Sequence, residues 1–333
     1  MKPSELILVL PELLDLGIPV FIWGHPGVGK SDSVRTVAAA TDRQFLDIRA
    51  SLYEPPEMRG YPIVEGTGKS RKMRFVPAGI LPSVAQRGLM LLDELPQAIP
   101  AMHGVLFQLT LDGKIGEYEL PEGWAIVAAG NYPVNGGAFN AISKGLGSRF
   151  LHINLHSDQG DWDAWANGKV DDITRAFLRF RPNLIHDMTP TKGFTPFPSS
   201  RSWVMADKVM QMKTPSQKIR LELLEGCIGE GAATERMAFQ QTAGELPDLN
   251  ELLLSPDTAP IPSSPAAKYA VATLLESKAS KTNFKQCLTY MERLDKEYQT
   301  AFMHNITKNK REMCSTSEYT NWCLANKEML GVD

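Results

Sequence analysis

The sequence predicts an α/β fold in which a buried parallel sheet comes first and an all-helical region follows. Three observations carry this. Short apolar runs alternate with helical stretches up to about residue 156. The first run leads straight into a glycine-rich turn and then a helix. Beyond residue 157 the strand signals stop and helical periodicity takes over.

Taken in order, Ser4 stands where it can cap an opening helix that ends near Gly17. Residues 18–23 read as a buried strand, 31–40 as a helix, and 45–48, 89–92, 125–129 and 150–155 as four further strands. Runs this uniformly apolar suit strands covered on both faces, as in a parallel sheet. The first 156 residues are therefore expected to form an α/β domain and 157–254 a helical one. Residues 255–265, rich in proline and serine, read as a linker. Residues 266–333 read as a helical extension, with Ser315 and Glu318 at capping-box spacing before the last helix.

At 333 residues the chain is long enough for two or three packed units. Its 43% hydrophobic and 22% charged residues are an ordinary globular balance. A net charge of −3 gives no global pull toward nucleic acid or an anionic membrane. The four cysteines, Cys227, Cys287, Cys314 and Cys323, form no CxxC pair, which argues against a zinc site or a disulfide framework and suits a reducing, cytoplasmic setting. The apolar run 6–10 is too short to span a membrane, so no membrane association is expected. His152 and His156, without an HExxH pattern, read as core or edge histidines. The lysines and arginines of the C-terminal helices are interspersed with acids and read as a solvated face.

Gly24-His25-Pro26-Gly27-Val28-Gly29-Lys30-Ser31 fits GxxxxGK[ST]. Glycines let the main chain curl until several N–H groups face one point, and the helix that follows adds the positive end of its dipole. In that frame Lys30 reaches the β- and γ-phosphates of a nucleotide and the Ser31 hydroxyl binds Mg²⁺. The strand at 89–92 ends in Asp93 and Glu94. Ligands on a parallel sheet lie beyond the strand C-termini. Asp93 is thus expected to hold Mg²⁺ and Glu94 to polarise the attacking water; the second acid points to hydrolysis coupled to mechanical work. Asn131 closes the next strand and can orient water without adding charge. Arg149, in Ser148-Arg149-Phe150, suits either a surface salt bridge or donation to a neighbouring subunit's site; Lys144, one turn away, is a weaker candidate for that role. Arg201 opens a helix of the second region, where it either caps a solvated helix or reports the loss of a γ-phosphate. Neither Asn309-Lys310-Arg311-Glu312 nor Asn326-Lys327-Glu328-Met329 completes an Asn-Lys-x-Asp guanine motif, which favours ATP.

This order of motifs resembles the AAA+ superfamily of P-loop ATPases, and within it the MoxR-like members of the helix-2-insert clade. Residues 113–124 are similar to the hairpin before the family's sensor strand, 58–62 and 75–79 to the helix-2 insert, and 161–166 with 180–182 to its lid. The likeness covers roughly residues 5–255. It implies Lys30 and Ser31 as Walker A, Asp93 and Glu94 as Walker B, Asn131 as sensor 1, Arg149 as the trans-acting finger and Arg201 as sensor 2. The chain carries Ser199-Ser200-Arg201 where relatives carry Thr-Pro-Arg. The resemblance further implies an ATP- and Mg²⁺-dependent homo-oligomer, a hexamer, acting as a chaperone-like remodeller of a protein client, often with a separate von Willebrand factor A-domain partner. The alternative is a nucleic-acid-associated AAA+ motor.

Overall fold

The computed structural model describes residues 1–133, 140–188, 195–213, 216–243 and 246–330. The chain divides into two compact units, Met1–Ser157 and Asp158–Asp333.

The first unit opens with helix α1 (Pro3–Asp15) and strand β1 (Val20–Trp23), followed by α2 (Lys30–Ala40) and β2 (Gln44–Arg49). The short helix α3 (Pro55–Arg59) precedes an antiparallel hairpin of β3 (Tyr61–Glu65) and β4 (Lys72–Val76). Then come β5 (Gly88–Asp93), α4 (Pro100–Asp112), a second small hairpin of β6 (Lys114–Ile115) and β7 (Tyr118–Glu119), β8 (Trp124–Gly130), α5 (Lys144–Gly147) and β9 (Leu151–Asn154). Five strands form one sheet in the order β2-β5-β8-β1-β9, every neighbouring pair parallel.

Alternation along the strands builds two cores, one on each face. Leu89 and Leu91 of β5 join Val20, Ile22, Val127 and Ala129 beneath α1 and α2, while Met90 and Leu92 join Phe21, Ile126 and Ala128 beneath α4. In α1, Leu6, Leu10 and Leu14 supply one buried stripe at four-residue spacing. Its cap differs from the expected one. Lys2 is the extended N-cap residue, Pro3 takes the first helical position, and the Lys2 N–H donates to Glu5 Oε2 at 3.0 Å, so Ser4 already lies inside the helix. This is the α/β P-loop sheet that the AAA+ resemblance implies.

The second unit is helical: α6 (Gln159–Ala166), α7 (Asp172–Phe180), α8 (Ser200–Met210), α9 (Gln217–Ile228), α10 (Glu230–Ala243), α11 (Leu249–Leu254), α12 (Pro265–Lys278), α13 (Phe284–Met291), α14 (Lys296–Asn309) and α15 (Ser317–Ala325). Residues 255–265, expected as a linker, are fastened to the helices beyond them. Ala259 is buried, the Tyr290 hydroxyl donates to the Pro260 carbonyl at 2.7 Å, and Arg293 donates to that of Pro256 at 2.6 Å. Arg175 of α7 and Glu276 of α12 form an ion pair from either side of that stretch. The last helix is capped by Thr316, which accepts from the Tyr319 N–H, and not by Ser315, whose hydroxyl is spent on the Glu312 carbonyl in the preceding turn. Among the described residues no helix is long and apolar enough to cross a membrane.

Candidate nucleotide site

The parallel order brings the C-terminal ends of β1, β5 and β8 side by side, and the chemistry-bearing residues follow those ends. Residues 24–29 turn the chain from β1 into α2. Gly27 and Gly29 sit at φ 79° and 93°, a region that side chains disfavour, so the curl depends on glycine. Gly24 is required for a different reason: a Cβ there would lie 2.8 Å from the Leu155 carbonyl oxygen. Val28 points into the apolar core and anchors the turn from below. His25 meets the Tyr132 ring edge-on at 5.1 Å.

Lys30 is 9% exposed, and its Nζ donates to the carbonyls of Gly24 at 2.9 Å and His25 at 3.1 Å and to Asn131 Oδ1 at 2.8 Å. The ammonium group is thus pinned across the mouth of the loop, with Asn131 brought to it from the end of the neighbouring β8. The Ser31 hydroxyl donates to Asp93 Oδ2 at 2.6 Å, so a hydroxyl oxygen and a carboxylate oxygen converge beside the turn. Asp93 Oδ1 accepts the Glu94 N–H at 2.9 Å. Glu94 itself stands at φ 55°, one of two non-glycine residues with a left-handed backbone among the described residues. That conformation turns its side chain away from the strand line to Ser51, whose hydroxyl donates to Glu94 Oε2 at 2.5 Å.

Two groups near the acids have no sequence motif. Ser51 follows β2, and β2 pairs with β5 in a register that sets Arg49 beside Asp93; only the strand order shows that Ser51 can hold Glu94. Asp47 lies on β2 with its carboxyl held above the ordinary range, first by burial and then by the Asp93 charge. Arg35 stands 3.6 Å from it and acts in the opposite sense.

These residues suit a nucleotide's phosphates with Mg²⁺ on their own chemistry. Main-chain N–H groups, one lysine and a helix start offer donors to an anion. The cation donors are one hydroxyl and one carboxylate, both hard oxygens, and among the described residues no group of three or more His, Cys, Asp or Glu could hold a metal. Mg²⁺ bound by one or two protein oxygens takes its remaining ligands from phosphate and water.

Of the other two expected residues, one belongs to the sheet unit and one to the helical unit. Arg149 is exposed just before β9, its guanidinium 5.5 Å from the Phe107 ring centre. Arg201 lies in the helical unit, exposed in the first turn of α8, whose N-cap is Ser199. A cavity of about 420 Å³ opens at the other end of the sheet, between Asp15, Arg43, Arg87 and Trp124, away from the phosphate turn.

No family model and no similar curated protein matches the chain. Solved structures that match include a Thermotoga maritima RuvB mutant, at 15% identity and TM-score 0.37 over 99% of this chain and 81% of that one. A second RuvB mutant from the same organism matches at 14% and 0.37, over 92% and 75%. The Thermotoga maritima RuvB Holliday junction branch migration motor matches at 16% and 0.39, over 76% and 73%. A likeness this distant assigns neither activity nor partner to the chain.

Proposed function

We propose that this chain is a Mg²⁺-dependent ATPase of the AAA+ type, MoxR-like, that works as a ring of identical subunits to remodel a protein client. The observation that carries the reading is the meeting, at three adjacent strand ends, of Lys30 with Asn131 and of Ser31 with Asp93, with Glu94 held alongside by Ser51. Bound ATP and Mg²⁺ would supply the γ-phosphoryl group that water attacks. The glycine turn and Lys30 grip the phosphates, and Ser31 and Asp93 hold the cation. Glu94, once released by Ser51, orients the attacking water and takes its proton. Asn131 fixes that water, Arg149 enters the next subunit's site to stabilise the transition-state charge, and Arg201 senses the γ-phosphate. The ring is a hexamer in this reading, the setting cytoplasmic, and a von Willebrand factor A-domain protein is a candidate partner.

The test is the ATPase rate per subunit against protein concentration. It should rise as rings assemble. A concentration-independent rate from monomers refutes the trans-acting arginine, and absence of turnover at every concentration refutes the enzyme.

A second reading, a nucleic-acid-associated motor, is favoured by one feature. The β3–β4 hairpin is exposed along its whole length and carries Lys69, Arg71, Lys72 and Arg74 against a single acid, Glu65. Stimulation of the ATPase by single- or double-stranded DNA, falling steeply with salt, would favour it over the protein client.

A further inference from the structure

His152 takes no part in the phosphate site, yet it is bonded on both ring nitrogens to two segments the site depends on. The Trp23 indole Nε1 donates to His152 Nδ1 at 2.8 Å. An indole N–H can only donate, so Nδ1 is the bare nitrogen of a neutral imidazole. The proton therefore sits on Nε2, which donates to the Gly147 carbonyl at 2.8 Å. Trp23 is the last residue of β1 and immediately precedes the glycine turn. Gly147 ends α5, two residues before Arg149. The imidazole thus bridges the strand that feeds the phosphate turn to the turn that carries the exposed arginine.

The surrounding rings fix this bridge in place. His152 lies beside Phe21 in the β1–β9 register, with their rings stacked at 5.5 Å. Trp23 stacks on Phe21 at 4.3 Å and lies nearly parallel to Tyr132 at 6.3 Å. Tyr132 in turn meets His25 of the glycine turn, and its hydroxyl donates to Asn154 Oδ1 at 3.2 Å. A continuous set of aromatic contacts therefore runs from the phosphate turn across Trp23 to His152, and one hydrogen bond carries it on to α5. A surface histidine needing only solvent would not require a tautomer matched to an indole on one side and a carbonyl on the other.

We propose that His152 is a positioning residue that ties the Arg149 turn of each subunit to that subunit's own phosphate turn, so that the arginine offered to the neighbour is set by the donor's own site. This deepens the ATPase reading and rests on Arg149 acting in trans. Its function is not to bind nucleotide but to hold the Gly147–Arg149 turn in register with β1.

Mixed rings test it. A Glu94→Gln subunit keeps its glycine turn and still offers Arg149 but cannot turn over ATP itself. An Arg149→Ala subunit keeps its site but offers no arginine. Mixing the two should restore ATPase activity, at junctions where the first faces the second. His152→Phe, which keeps a ring and loses both hydrogen bonds, is then placed on one partner at a time. On the arginine-donating Glu94→Gln partner it should lower the restored kcat about fivefold, the loss of one positioning hydrogen bond, with KM unchanged. On the Arg149→Ala partner it should change kcat by less than about twofold. A loss that follows the Arg149→Ala partner, or no loss on either, overturns the inference. His152→Gln, whose amide offers one acceptor and one donor, should restore the donor-side activity; a Gln variant as poor as Phe also overturns it. Failure of the parent mixture to regain activity sinks the trans-acting arginine first, and this inference with it.

Discussion

The interior of the sheet unit is apolar along its length: β5 buries Leu89, Met90, Leu91 and Leu92, β8 buries Ile126, Val127, Ala128 and Ala129, and among the described residues its buried lysine and arginine are Lys30 of the glycine turn and Arg43, neither of them fully enclosed. The helical unit buries Asp163, Arg175, Asp207, Arg236 and Glu276. Arg175 Nε lies 3.1 Å from Asp163 Oδ1 and its Nη2 lies 3.4 Å from Glu276 Oε1; Arg179 Nη2 reaches Asp163 at 2.6 Å and Glu276 at 2.5 Å. Burial pulls the Arg175 guanidinium down, and the Asp163 and Glu276 charges outweigh it and leave it raised. A sheet covered on both faces is held by non-directional packing, so the strand ends are free to carry polar side chains whose loss the core does not feel. Helices joined through buried ions depend on each partner, because removing one leaves the other charge buried and unmatched. The two units should therefore fail differently when a charged residue is removed.

The largest expected effect is in the sheet unit and is purely functional. Glu94→Gln keeps size and the hydrogen bond from Ser51 but cannot take a proton. Turnover should fall roughly 10²–10⁴-fold, while nucleotide binding and the unfolding midpoint stay at the parent values. Retained turnover would remove Glu94 from the chemistry. A large fall in stability would show that the strand ends are coupled to the core after all.

Next comes the opposite case. Glu276 is fully buried and faces Arg175, Arg179 and the Asn309 amide, which donates to it at 2.8 Å. Glu276→Ala should cost about 3–5 kcal/mol in urea unfolding of the whole chain, with Glu276→Gln costing less because the amide still accepts. A cost below about 1 kcal/mol would place this network with exposed ion pairs and dissolve the contrast between the units.

That contrast also explains what could be read from the sequence. The five sheet strands were legible because short, uninterrupted apolar runs bounded by turn residues suit strands covered on both faces. The glycine turn into α2 was legible because glycine spacing, Lys30 and Ser31 form one contiguous segment. Partners distant in sequence were not: Ser51 meets Glu94 across 43 positions, and Arg175 meets Glu276 across 101. No local pattern marks either pair, since each exists only after strand order or helix packing is fixed. The same reason hides the fastening of 255–265, whose composition reads as a linker while Tyr290 and Arg293 bind its carbonyls from beyond. The caps failed on a finer scale. Ser4 and Ser315 have the right chemistry, but proline at position 3 and the turn before Thr316 shift each helix start.

A smaller effect probes the packing of the sheet unit directly. Gly88 opens β5 beneath the Trp124 ring, and a Cβ there would lie 2.2 Å from it. Gly88→Ala should destabilise the chain by about 1–3 kcal/mol, and combining it with Trp124→Leu should recover part of that loss. No cost from Gly88→Ala would mean that Trp124 moves freely and that this edge of the core is loosely packed.

The smallest effect is a pH dependence in the helical unit, and its sign can be worked out. Asp207 of α8 is 3% exposed and accepts from Thr174 Oγ1 at 2.8 Å, Gln211 Nε2 at 2.7 Å and the Asp171 N–H at 3.2 Å. Burial pushes its carboxyl above 3.8, the hydrogen bonds from Thr174 and Asp171 oppose that, and the net direction is up. Burial also lowers the neighbouring Arg236 guanidinium, to about 10, which leaves it charged at neutral pH. A carboxyl that holds its proton more tightly folded than unfolded favours the folded state at low pH. That contribution is complete below 3.8 and is lost as pH rises through the higher folded value. Asp207→Asn cannot titrate, so the stability of the parent minus that of the variant should fall as pH rises above 3.8 and level off once the folded carboxyl has lost its proton. Paired urea titrations across that window measure the difference directly. A difference that grows with pH would mean that the three donors outweigh burial at Asp207.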